Sequence, residues 1–490
     1  MPNPPSTPPA PTPTSTHSGW QPMRSSSVGL VEQLVEHFGG LIRHHGLRAG
    51  MRLPSVRALA QSAGVSRDTV VQAYDKLAAS GLVQSRRGSG FYVAAQRPVV
   101  TPATLQSPAV AQPLAFDTAY LLRGIFEEGG DGTGSAGCLP TAWMDHGLIT
   151  GAMRAITRSG SRAESTLLGY GQPQGYLPLR QHLASVLQAQ DVPAHPVHNL
   201  MTVGGVTQGL DLIVRCFLQP GDTVLVEDPA WFLIFGRLKI MGVNVIGVPR
   251  LPGGPDLVAL QSLAAAHKPK LFILNTVVHN PTGLSLSAGA AHEVLRIAER
   301  HDFLLVEDDT YADFLGAPPL RLAAMDRLQR VILVGGFSKT LSGGLRVGYV
   351  AAKAEYVDRL TDLKLLSGLT SSLPAEQIVQ HILANGSYRK QVDRLRERVD
   401  RTRIRCLRKL EAIGCHAEHE PVAGTFAWVD CGVDTEVLAR QAAASGLLLA
   451  PGVLFSPRQA TSSKLRVPVA MADLVTPWKI LESLLNQLRK

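Results

Sequence analysis

Lys339 and Arg346 stand seven residues apart in the Gly-rich segment GGFSKTLSGGLRVGY (335–349), directly after a run of β-branched residues. A lysine amine can form a Schiff base with an aldehyde, and an arginine guanidinium can bind a phosphate through two parallel hydrogen bonds. The pair therefore suits a cofactor that carries both groups. Either residue alone is by default a surface charge, so this prediction depends on the rest of such a site occurring upstream.

A carboxylate and two hydrogen-bond donors for the ring of such a cofactor do occur upstream. Asp308 and Tyr311 stand three residues apart in VEDDTYADF (306–314), and Asn280 lies in the turn HNPTG (279–283). Pyridoxal 5′-phosphate (PLP) carries the aldehyde and the phosphate, and it needs a carboxylate beside its pyridine nitrogen to stay electron-withdrawing. Asp308 is the candidate carboxylate, with Tyr311 and Asn280 as donors to the ring oxygen. The alternative for the acidic run is a solvated strand end.

A stacking ring and further phosphate ligands complete the candidate set. Trp231 in VEDPAWF offers an aromatic face to the pyridine ring, although a lone tryptophan is more often part of a hydrophobic core. The Gly-rich turn GGVTQGLDL (204–212) opens a helix, where backbone N–H groups bind phosphate readily. The predicted phosphate ligands beside Arg346 are Val206, Thr207 and Ser338.

Alternating strands and helices have to position these residues. Between residues 116 and 490, short apolar runs rich in β-branched residues are separated by segments of helix length. The runs are TVLVED (223–228), LFILNT (271–276), FLLVED (303–308) and VILVGG (331–336). This alternation predicts an α/β fold with a mainly parallel central sheet that is covered by helices on both faces.

The segment 24–93 predicts a separate, basic domain with nine Lys or Arg and four Asp or Glu. In LPSVRALAQSAGVSRDTVVQAYDKL, Ser55 and Ser66 stand where two helices would begin, and Gly64 between them is typical of a helix end. RRGSGFYV (86–93) then predicts a hairpin with a basic tip. Two helices, a short turn and such a hairpin are typical of a winged helix-turn-helix, whose second helix enters the major groove of DNA.

This segment resembles the winged domains of the GntR family of regulators. The resemblance rests on AGMRLPS, VRALA, GVSRDTV, AYDKL and RRGSG, in that order. It implies that the DNA contacts are made by Arg57, Ser66, Arg67, Thr69, Arg87 and Gly88. The alternative is a generic three-helix scaffold with a solvated basic face.

Nearly all of residues 116–490 resemble the class I (fold type I) aminotransferases, which are PLP enzymes. Besides the residues above, the match includes LGYGQPQGYLPLR, GTFAWVD, APGVLF and LRVPVA. The resemblance implies that Tyr170 reaches the phosphate in a neighbouring subunit and that Arg466 binds the α-carboxylate of an amino acid. Gly336 departs from the usual Ser or Thr, and Val206 from a small polar residue, so lower PLP affinity is expected.

Together, the two halves resemble the MocR, or GabR-like, subfamily of bacterial GntR regulators. The resemblance implies a PLP-bound, domain-swapped, head-to-tail homodimer that binds operator DNA and senses an amine, an amino acid or PLP itself. Two alternatives stay open at this point. One is an active class I aminotransferase with an accessory DNA-binding domain, and the other is a large domain that only dimerises the regulator.

Composition and the remaining segments set the predicted boundaries. Residues 1–23 are a Pro/Ser/Thr-rich tail of disordered composition, residues 24–93 the DNA-binding domain, 94–115 a Pro-rich linker and 116–490 the PLP-binding domain. The five cysteines lack CxxC spacing, so neither a disulfide framework nor a metal site is expected. The N-terminus does not resemble a signal peptide, and no apolar run is long enough for a membrane span. A cytoplasmic location, on the bacterial nucleoid when DNA is bound, is the expectation.

Overall fold

The computed structural model describes residues 21–23, 28–43, 47, 49–86, 89–94, 139–158 and 168–490. The chain divides into two compact units, residues 1–112 and 113–490. Most of the predicted tail and nearly all of the predicted linker fall outside the described residues. Their predicted bounds stay predictions.

Three helices and a β-hairpin form the described part of the small unit. They are α1 (Leu30–Arg43), α2 (Val56–Ala63), α3 (Arg67–Ala79), β1 (Val83–Arg86) and β2 (Gly90–Val93). The two strands are antiparallel. Leu34, Phe38 and Ile42 recur along one face of α1 and are buried against α3, where Tyr74 lies edge-on to Phe38 with ring centroids 6.0 Å apart. The unit therefore has a hydrophobic core of its own.

Local hydrogen bonds place the two helices of the helix-turn-helix. Ser55 Oγ accepts from the N–H of Ala58 at 3.2 Å, and Ser66 Oγ accepts from the N–H of Thr69 at 3.0 Å. Between them, Gly64 ends α2 in the left-handed conformation with φ +65°, which is easy only for glycine. The caps and the break lie at the residues that the sequence predicts.

An eight-stranded sheet forms the centre of the large unit. Its strands are β3 (Leu200–Val203), β4 (Thr223–Asp228), β5 (Asn244–Leu251), β6 (Gly254–Pro255), β7 (Leu271–Leu274), β8 (Leu304–Asp308), β9 (Val331–Gly336) and β10 (Gly348–Ala351). They lie in the order β3-β10-β9-β8-β7-β4-β5-β6. The five strands from β9 to β5 are parallel, and β10 is antiparallel to both of its neighbours. The predicted mainly parallel sheet is confirmed.

Successive residues of the parallel strands are buried in different hydrophobic clusters. Leu305 of β8 belongs to one cluster and Val306 to another, so both faces of the strand are covered. Among the described residues from 146 to 384, the helices are α4 (His146–Thr157), α5 (Leu177–Gln188), α6 (Val206–Phe217), α7 (Phe232–Ile240), α8 (Leu257–His267), α9 (Ala288–His301), α10 (Leu322–Met325), α11 (Ala354–Gly368) and α12 (Leu373–Ala384).

A second, antiparallel sheet follows the long helix α13 (Ser387–Ala412). Its strands β11 (His416–Ala417), β12 (Phe426–Asp430), β13 (Ala450–Pro451) and β14 (Lys464–Pro468) lie in the order β11-β12-β14-β13. Helices α14 (Thr435–Ala444) and α15 (Val475–Leu488) accompany it, and 3₁₀ turns occur at Thr141–Trp143, Ala312–Phe314, Gly452–Phe455 and Val469–Asp473. Tyr311 packs into the core of this sheet, so the two sheets are joined there. Within the described part of the chain, no helix combines the length and apolarity needed to cross a lipid bilayer.

Candidate functional site

The carboxyl ends of four neighbouring parallel strands bring the predicted ring-binding residues together. Trp231 follows β4, Asn280 follows β7, Asp308 ends β8 and Lys339 follows β9. In open α/β sheets, ligands bind at this edge. A pocket there is lined by three of the predicted residues and their neighbours, among them Leu210, Ala230, Trp231, Ile234, Asn275, His279, Asn280 and Asp308.

Asp308 is held in this pocket by the residue two positions further on. Its Oδ1 accepts from the N–H of Thr310 at 2.9 Å and from the Thr310 hydroxyl at 2.5 Å. Burial raises the pKa of Asp308, while these hydrogen bonds and the positive charge of Lys339 act in the opposite direction. Lys339 thus lies near enough to interact with Asp308. A buried carboxylate with a raised pKa fits a cationic ring nitrogen as its partner.

The alternative of a solvated acidic strand end is wrong, because the two carboxyl groups on either side of Asp308 are buried and have partners of their own. Glu307 is 0% exposed and accepts from the N–H groups of Leu322 and Ala323, both at 2.9 Å. Asp309 forms an ion pair with Arg321 at 2.8 Å. Burial raises the pKa of Glu307 to about 7 and that of Asp309 to about 6.

The guanidinium of Arg346 lies against the N-terminus of α6. Its Nη2 donates to the carbonyl of Gly204 at 2.9 Å, and a Cβ atom on Gly205 would lie only 2.6 Å from the same nitrogen. Gly205 has φ +84° and Arg346 has φ +51°. A cation at the positive end of a helix is unfavourable unless an anion binds both. The arrangement therefore fits a phosphate group.

The two departures from the aminotransferase pattern are neighbours in space. A Cβ atom on Gly336 would lie 3.2 Å from Cγ2 of Val206. The valine side chain therefore occupies space next to the missing side chain at position 336. The phosphate ligands that remain here are the backbone N–H groups of Val206 and Thr207 at the start of α6. Gly205, the residue before this helix, has no side chain that could cap them. Ser338 lies half-buried in the turn after β9.

Asn275 is a central residue of the site that the sequence interpretation missed. Its Oδ1 accepts from the N–H of Asn280 at 2.8 Å, and its Nδ2 donates to the carbonyl of Asp308 at 2.5 Å. Its own N–H donates to Glu227 at 2.8 Å, and Glu227 is ion-paired with Arg250. Asn275 follows β7 as Lys339 follows β9. This position after a predicted strand was the signal in the sequence that could have identified Asn275.

His279 lies beside the same buried ion pair. Its Nε2 is 3.5 Å from Glu227 Oε2, and its Nδ1 is hydrogen-bonded to Thr282 at 2.8 Å. Burial and the charge of Arg250 keep the pKa of His279 well below its usual value, so the ring is neutral. Glu227, Arg250 and His279 support the turn that carries Asn280.

Arg466 reaches the pocket from strand β14 of the second sheet. It is 2% exposed, and its Nη1 donates to Asn280 Oδ1 at 3.1 Å. Its guanidinium carbon lies 4.3 Å from the ring centroid of Phe426, 5.0 Å from that of Phe455 and 5.6 Å from that of Phe232. An arginine surrounded by aromatic rings suits a planar partner that accepts two hydrogen bonds, such as a carboxylate.

Tyr311 and Tyr170 differ in their surroundings. Tyr311 is buried, with its ring 5.6 Å from that of Phe426. Tyr170 is 83% exposed on the single chain, as expected of a residue predicted to act in a neighbouring subunit. That role stays a prediction.

The predicted DNA-binding residues lie at the start of α3 and on α2. Arg57 and Arg67 are exposed. The hydroxyls of Ser66 and Thr69 lie 2.8 Å apart, so these two side chains also stabilise the first turn of α3. Arg87 and Gly88, in the predicted wing tip, lie outside the described residues. Among the residues that the structure describes, no group of three or more His, Cys, Asp or Glu could hold a metal ion.

Comparison with known proteins matches the two units separately. Residues 136–476 match the family described as aminotransferase class I and II, and residues 30–93 match the gntR family of bacterial regulatory proteins. Over 485 residues the chain is 27% identical to the HTH-type transcriptional regulator YisV of Bacillus subtilis, covering 95% of this chain and 97% of that one.

Enzymes resemble the large unit alone. The chain is 30% identical over 335 residues to the 2-aminoadipate transaminase of Thermus thermophilus, which covers 66% of this chain and 81% of that protein. The crystal structure of a multiple substrate aminotransferase from Thermococcus profundus aligns with a TM-score of 0.67 and 26% identity, over 76% of this chain and 94% of that one.

Proposed function

Because the chain belongs to the aminotransferase class I and II family and carries a DNA-binding domain of the GntR family, we propose that it is a PLP-dependent transcriptional regulator. The observation that supports this most directly is the presence, in one chain, of a capped recognition helix and a complete set of PLP-binding residue types. The full-length similarity to a protein named as a transcriptional regulator supports the same conclusion.

Each part of the cofactor has a candidate partner in the pocket. Asp308 would pair with the ring nitrogen, Asn280 and Tyr311 would donate to the ring oxygen, and Trp231 would cover one face. The phosphate would be bound by Arg346, Ser338, the N-terminus of α6 and Tyr170 of a second subunit, and Lys339 would hold the aldehyde carbon. When bound, PLP supplies an aldehyde that condenses with amines and an electron-poor ring.

The large domain is proposed to sense an amino acid, an amine or PLP itself. An effector can shift DNA binding only if it binds two arrangements of the protein unequally. The proposed pair of arrangements differs in two residues. Lys339 would be bonded to the cofactor in one and released in the other, and Arg466 would be hydrogen-bonded to Asn280, as it is here, or to an incoming carboxylate. A domain-swapped, head-to-tail homodimer on operator DNA in the bacterial cytoplasm is part of this proposal, because Tyr170 has its predicted role only with a second subunit.

An active aminotransferase with an accessory DNA-binding domain is the second candidate. It is favoured by the same complete set of residues and by 30% identity to a named transaminase. The two candidates differ in turnover: an enzyme completes the cycle repeatedly, whereas a sensor stops at a bound amine or after one half-reaction.

The two candidates are separated by measuring DNA binding and turnover on the same full-length protein. Mobility shifts with the intergenic DNA beside the gene are recorded with and without PLP and a panel of amino acids, and product per subunit is measured with excess keto acid. An amine- or PLP-dependent shift with stoichiometric conversion supports the regulator. Sustained turnover at about 1–10³ per second, with no effect of any ligand on DNA binding, would make the protein an enzyme.

Cofactor attachment is tested by borohydride reduction followed by peptide mapping. The modified peptide should contain Lys339, and Lys339→Ala should abolish the labelling, while Lys353→Ala, at a half-buried lysine, should not. Mapping to the buried Lys364 or to no lysine would contradict the assignment.

A further inference from the structure

Two cysteine sulfurs meet in the second sheet, away from the pocket. Cys415 lies directly before β11 and Cys431 directly after β12, and their Sγ atoms are 3.5 Å apart. Both residues are buried, at 1% and 0% exposure. They are sixteen residues apart in the chain, so no short cysteine motif predicts that they are neighbours.

The backbone places the two residues opposite each other. In the antiparallel pair β11–β12, His416 lies opposite Asp430, and one further step of this register sets Cys415 opposite Cys431. The N–H of Cys415 donates to Leu410 and that of Cys431 to Ser463, so the two cysteines do not exchange backbone hydrogen bonds. Facing residues of this non-hydrogen-bonded kind have Cα atoms about 4.5 Å apart. Disulfides span about 4.4–6.8 Å between Cα atoms, so a bond requires no rearrangement of the strands.

Arg489 covers this pair from the residue after α15. Its guanidinium donates to the carbonyls of Gly414 and Cys431, both at 2.7 Å, and lies 3.8 Å from Cys415 Sγ. The hydrogen bond shared with Cys431 and the positive charge of Arg489 lower the pKa of Cys415, whereas the shared bond and burial raise that of Cys431. Cys415 is therefore the sulfur that is deprotonated first.

We propose that Cys415 and Cys431 form a reversible disulfide, with a peroxide as the oxidant. The Cys415 thiolate attacks the peroxide O–O bond, takes one oxygen as a sulfenic acid and releases the other as water after protonation. The Cys431 sulfur then attacks the Cys415 sulfur, forming the S–S bond and releasing the second water. Two thiols and one hydrogen peroxide give one disulfide and two waters. Two equivalents of an external thiol reverse the oxidation.

The side chain of Arg489 lies between the pair and solvent. Arg489 is itself exposed, and it is the side chain that lies over Cys415. Cys406, in the middle of α13, provides the contrast: it is fully buried, and burial raises the pKa of its thiol to about 12. Cys406 should stay a protonated thiol under the same treatment.

The test uses the full-length protein, reduced, desalted and then exposed to hydrogen peroxide. Remaining thiols are alkylated with iodoacetamide in denaturant, and peptides are mapped by mass spectrometry without reduction. The expected product is a cross-linked peptide that joins Cys415 to Cys431, lacks two hydrogen atoms and disappears after treatment with dithiothreitol. Cys406→Ser is the matched control and should give the same cross-link.

Two results would overturn the proposal. One is recovery of both Cys415 and Cys431 as alkylated thiols at a peroxide concentration that oxidises the half-buried Cys216. The other is a cross-link from either residue to Cys138. The order of attack is tested with Cys431→Ser, in which dimedone should trap a sulfenic acid at Cys415. Because the cross-link is mapped on the unmodified sequence, the test does not depend on any variant folding.

Discussion

Arg466 donates a hydrogen bond to Asn280 across 3.1 Å, although the two residues are 186 positions apart in the chain. The bond joins strand β14 of the antiparallel sheet to the turn after β7 of the parallel sheet. Asn280 is the proposed donor to the cofactor ring, and Arg466 the proposed carboxylate ligand. This hydrogen bond therefore connects the proposed cofactor-binding residue directly to the proposed effector-binding residue.

Arg466→Ala should weaken effectors that carry a carboxylate more than the corresponding amines that lack one. Because the variant loses a two-pronged ion pair in a buried site, the affinity for the amino acid should fall tenfold or more, on the order of 1.5–3 kcal/mol. Spectral titration of PLP-loaded protein with an amino acid and with its decarboxylated amine measures this difference. The surface variant Arg440→Ala is the control, and equal losses for both ligands would contradict the assigned role.

Gly205→Ala should lower the affinity for PLP and for inorganic phosphate. The new Cβ atom would lie 2.6 Å from Arg346 Nη2, and alanine is strained at φ +84°. The dissociation constant of PLP, measured by equilibrium dialysis, should rise at least tenfold. Gly289→Ala in α9 is the matched control, because nothing lies within 4 Å of its added Cβ atom. Unchanged PLP binding in Gly205→Ala would place the phosphate elsewhere.

Asn275→Ala should weaken cofactor retention without removing any proposed contact to PLP. The substitution removes the hydrogen-bond partner of the Asn280 N–H and of the Asp308 carbonyl. Each buried polar group left without a partner costs about 1–3 kcal/mol. Faster PLP loss during dialysis, with an altered absorption spectrum of the remaining cofactor, is the expected result. A variant that lost stability but kept the spectrum and retention would show that Asn275 is only structural.

Arg67→Ala should reduce specific DNA affinity by about 1–3 kcal/mol, the value of one base contact. Arg67 is exposed at the first turn of α3, where a recognition helix meets base edges. Fluorescence anisotropy with operator and scrambled DNA at fixed salt separates specific from general binding. Lys76→Ala, at the other end of α3 in an ion pair with Glu32, should have little effect on specificity.

The contribution of Glu307 to the stability of the full-length protein should fall as the pH rises from about 4.5 to 7. Glu307 has a pKa of about 7 in the folded protein and an ordinary value of 4.5, so the folded state binds its proton more tightly. Its stabilising contribution is complete below pH 4.5 and is lost as the pH rises through 7; one pKa unit corresponds to about 1.4 kcal/mol, so about 3 kcal/mol is lost in all.

Urea denaturation at several pH values measures this trend. The trend is the pH dependence of the difference in stability between the unaltered chain and Glu307→Gln, which lacks this titration and is less stable throughout because its amide faces the N–H of Ala323. Glu293→Gln, on the surface, should leave the trend unchanged. An identical pH dependence in Glu307→Gln and the unaltered chain would refute the assignment of this titration.

Local sequence patterns predicted the strands and the side chains at their ends. Strands β4 and β9 span the predicted residues, and β7 ends two residues early because Asn275 turns its N–H to Glu227. Helix caps at Ser55 and Ser66 depend on residues three positions away, so they too were readable. Interactions of this range are set by the local backbone alone.

Contacts between distant segments could not be predicted from the sequence. The buried state of the acidic run depends on Arg321 and on the N-terminus of α10, and Asn275 is held by a carboxylate from another strand. Cys415 and Cys431 meet only through the register of two strands joined by a loop. In each case the tertiary fold determines which residues become partners, and the spacing of residues along the chain does not predict it.

The self-contained core of the small unit has a consequence for the order of events during synthesis. Val93 is the last buried residue of its described part, whereas the proposed effector site lacks a part until Arg466 has been made. At about 5–20 residues per second, the ribosome needs roughly 20 to 75 s for the intervening chain. During that interval a growing polypeptide already contains every residue of the predicted DNA-binding domain but not the arginine that is proposed to bind an amino-acid carboxylate. Each new molecule therefore passes through a stage at which its DNA-binding domain can be folded while its proposed effector site is still incomplete.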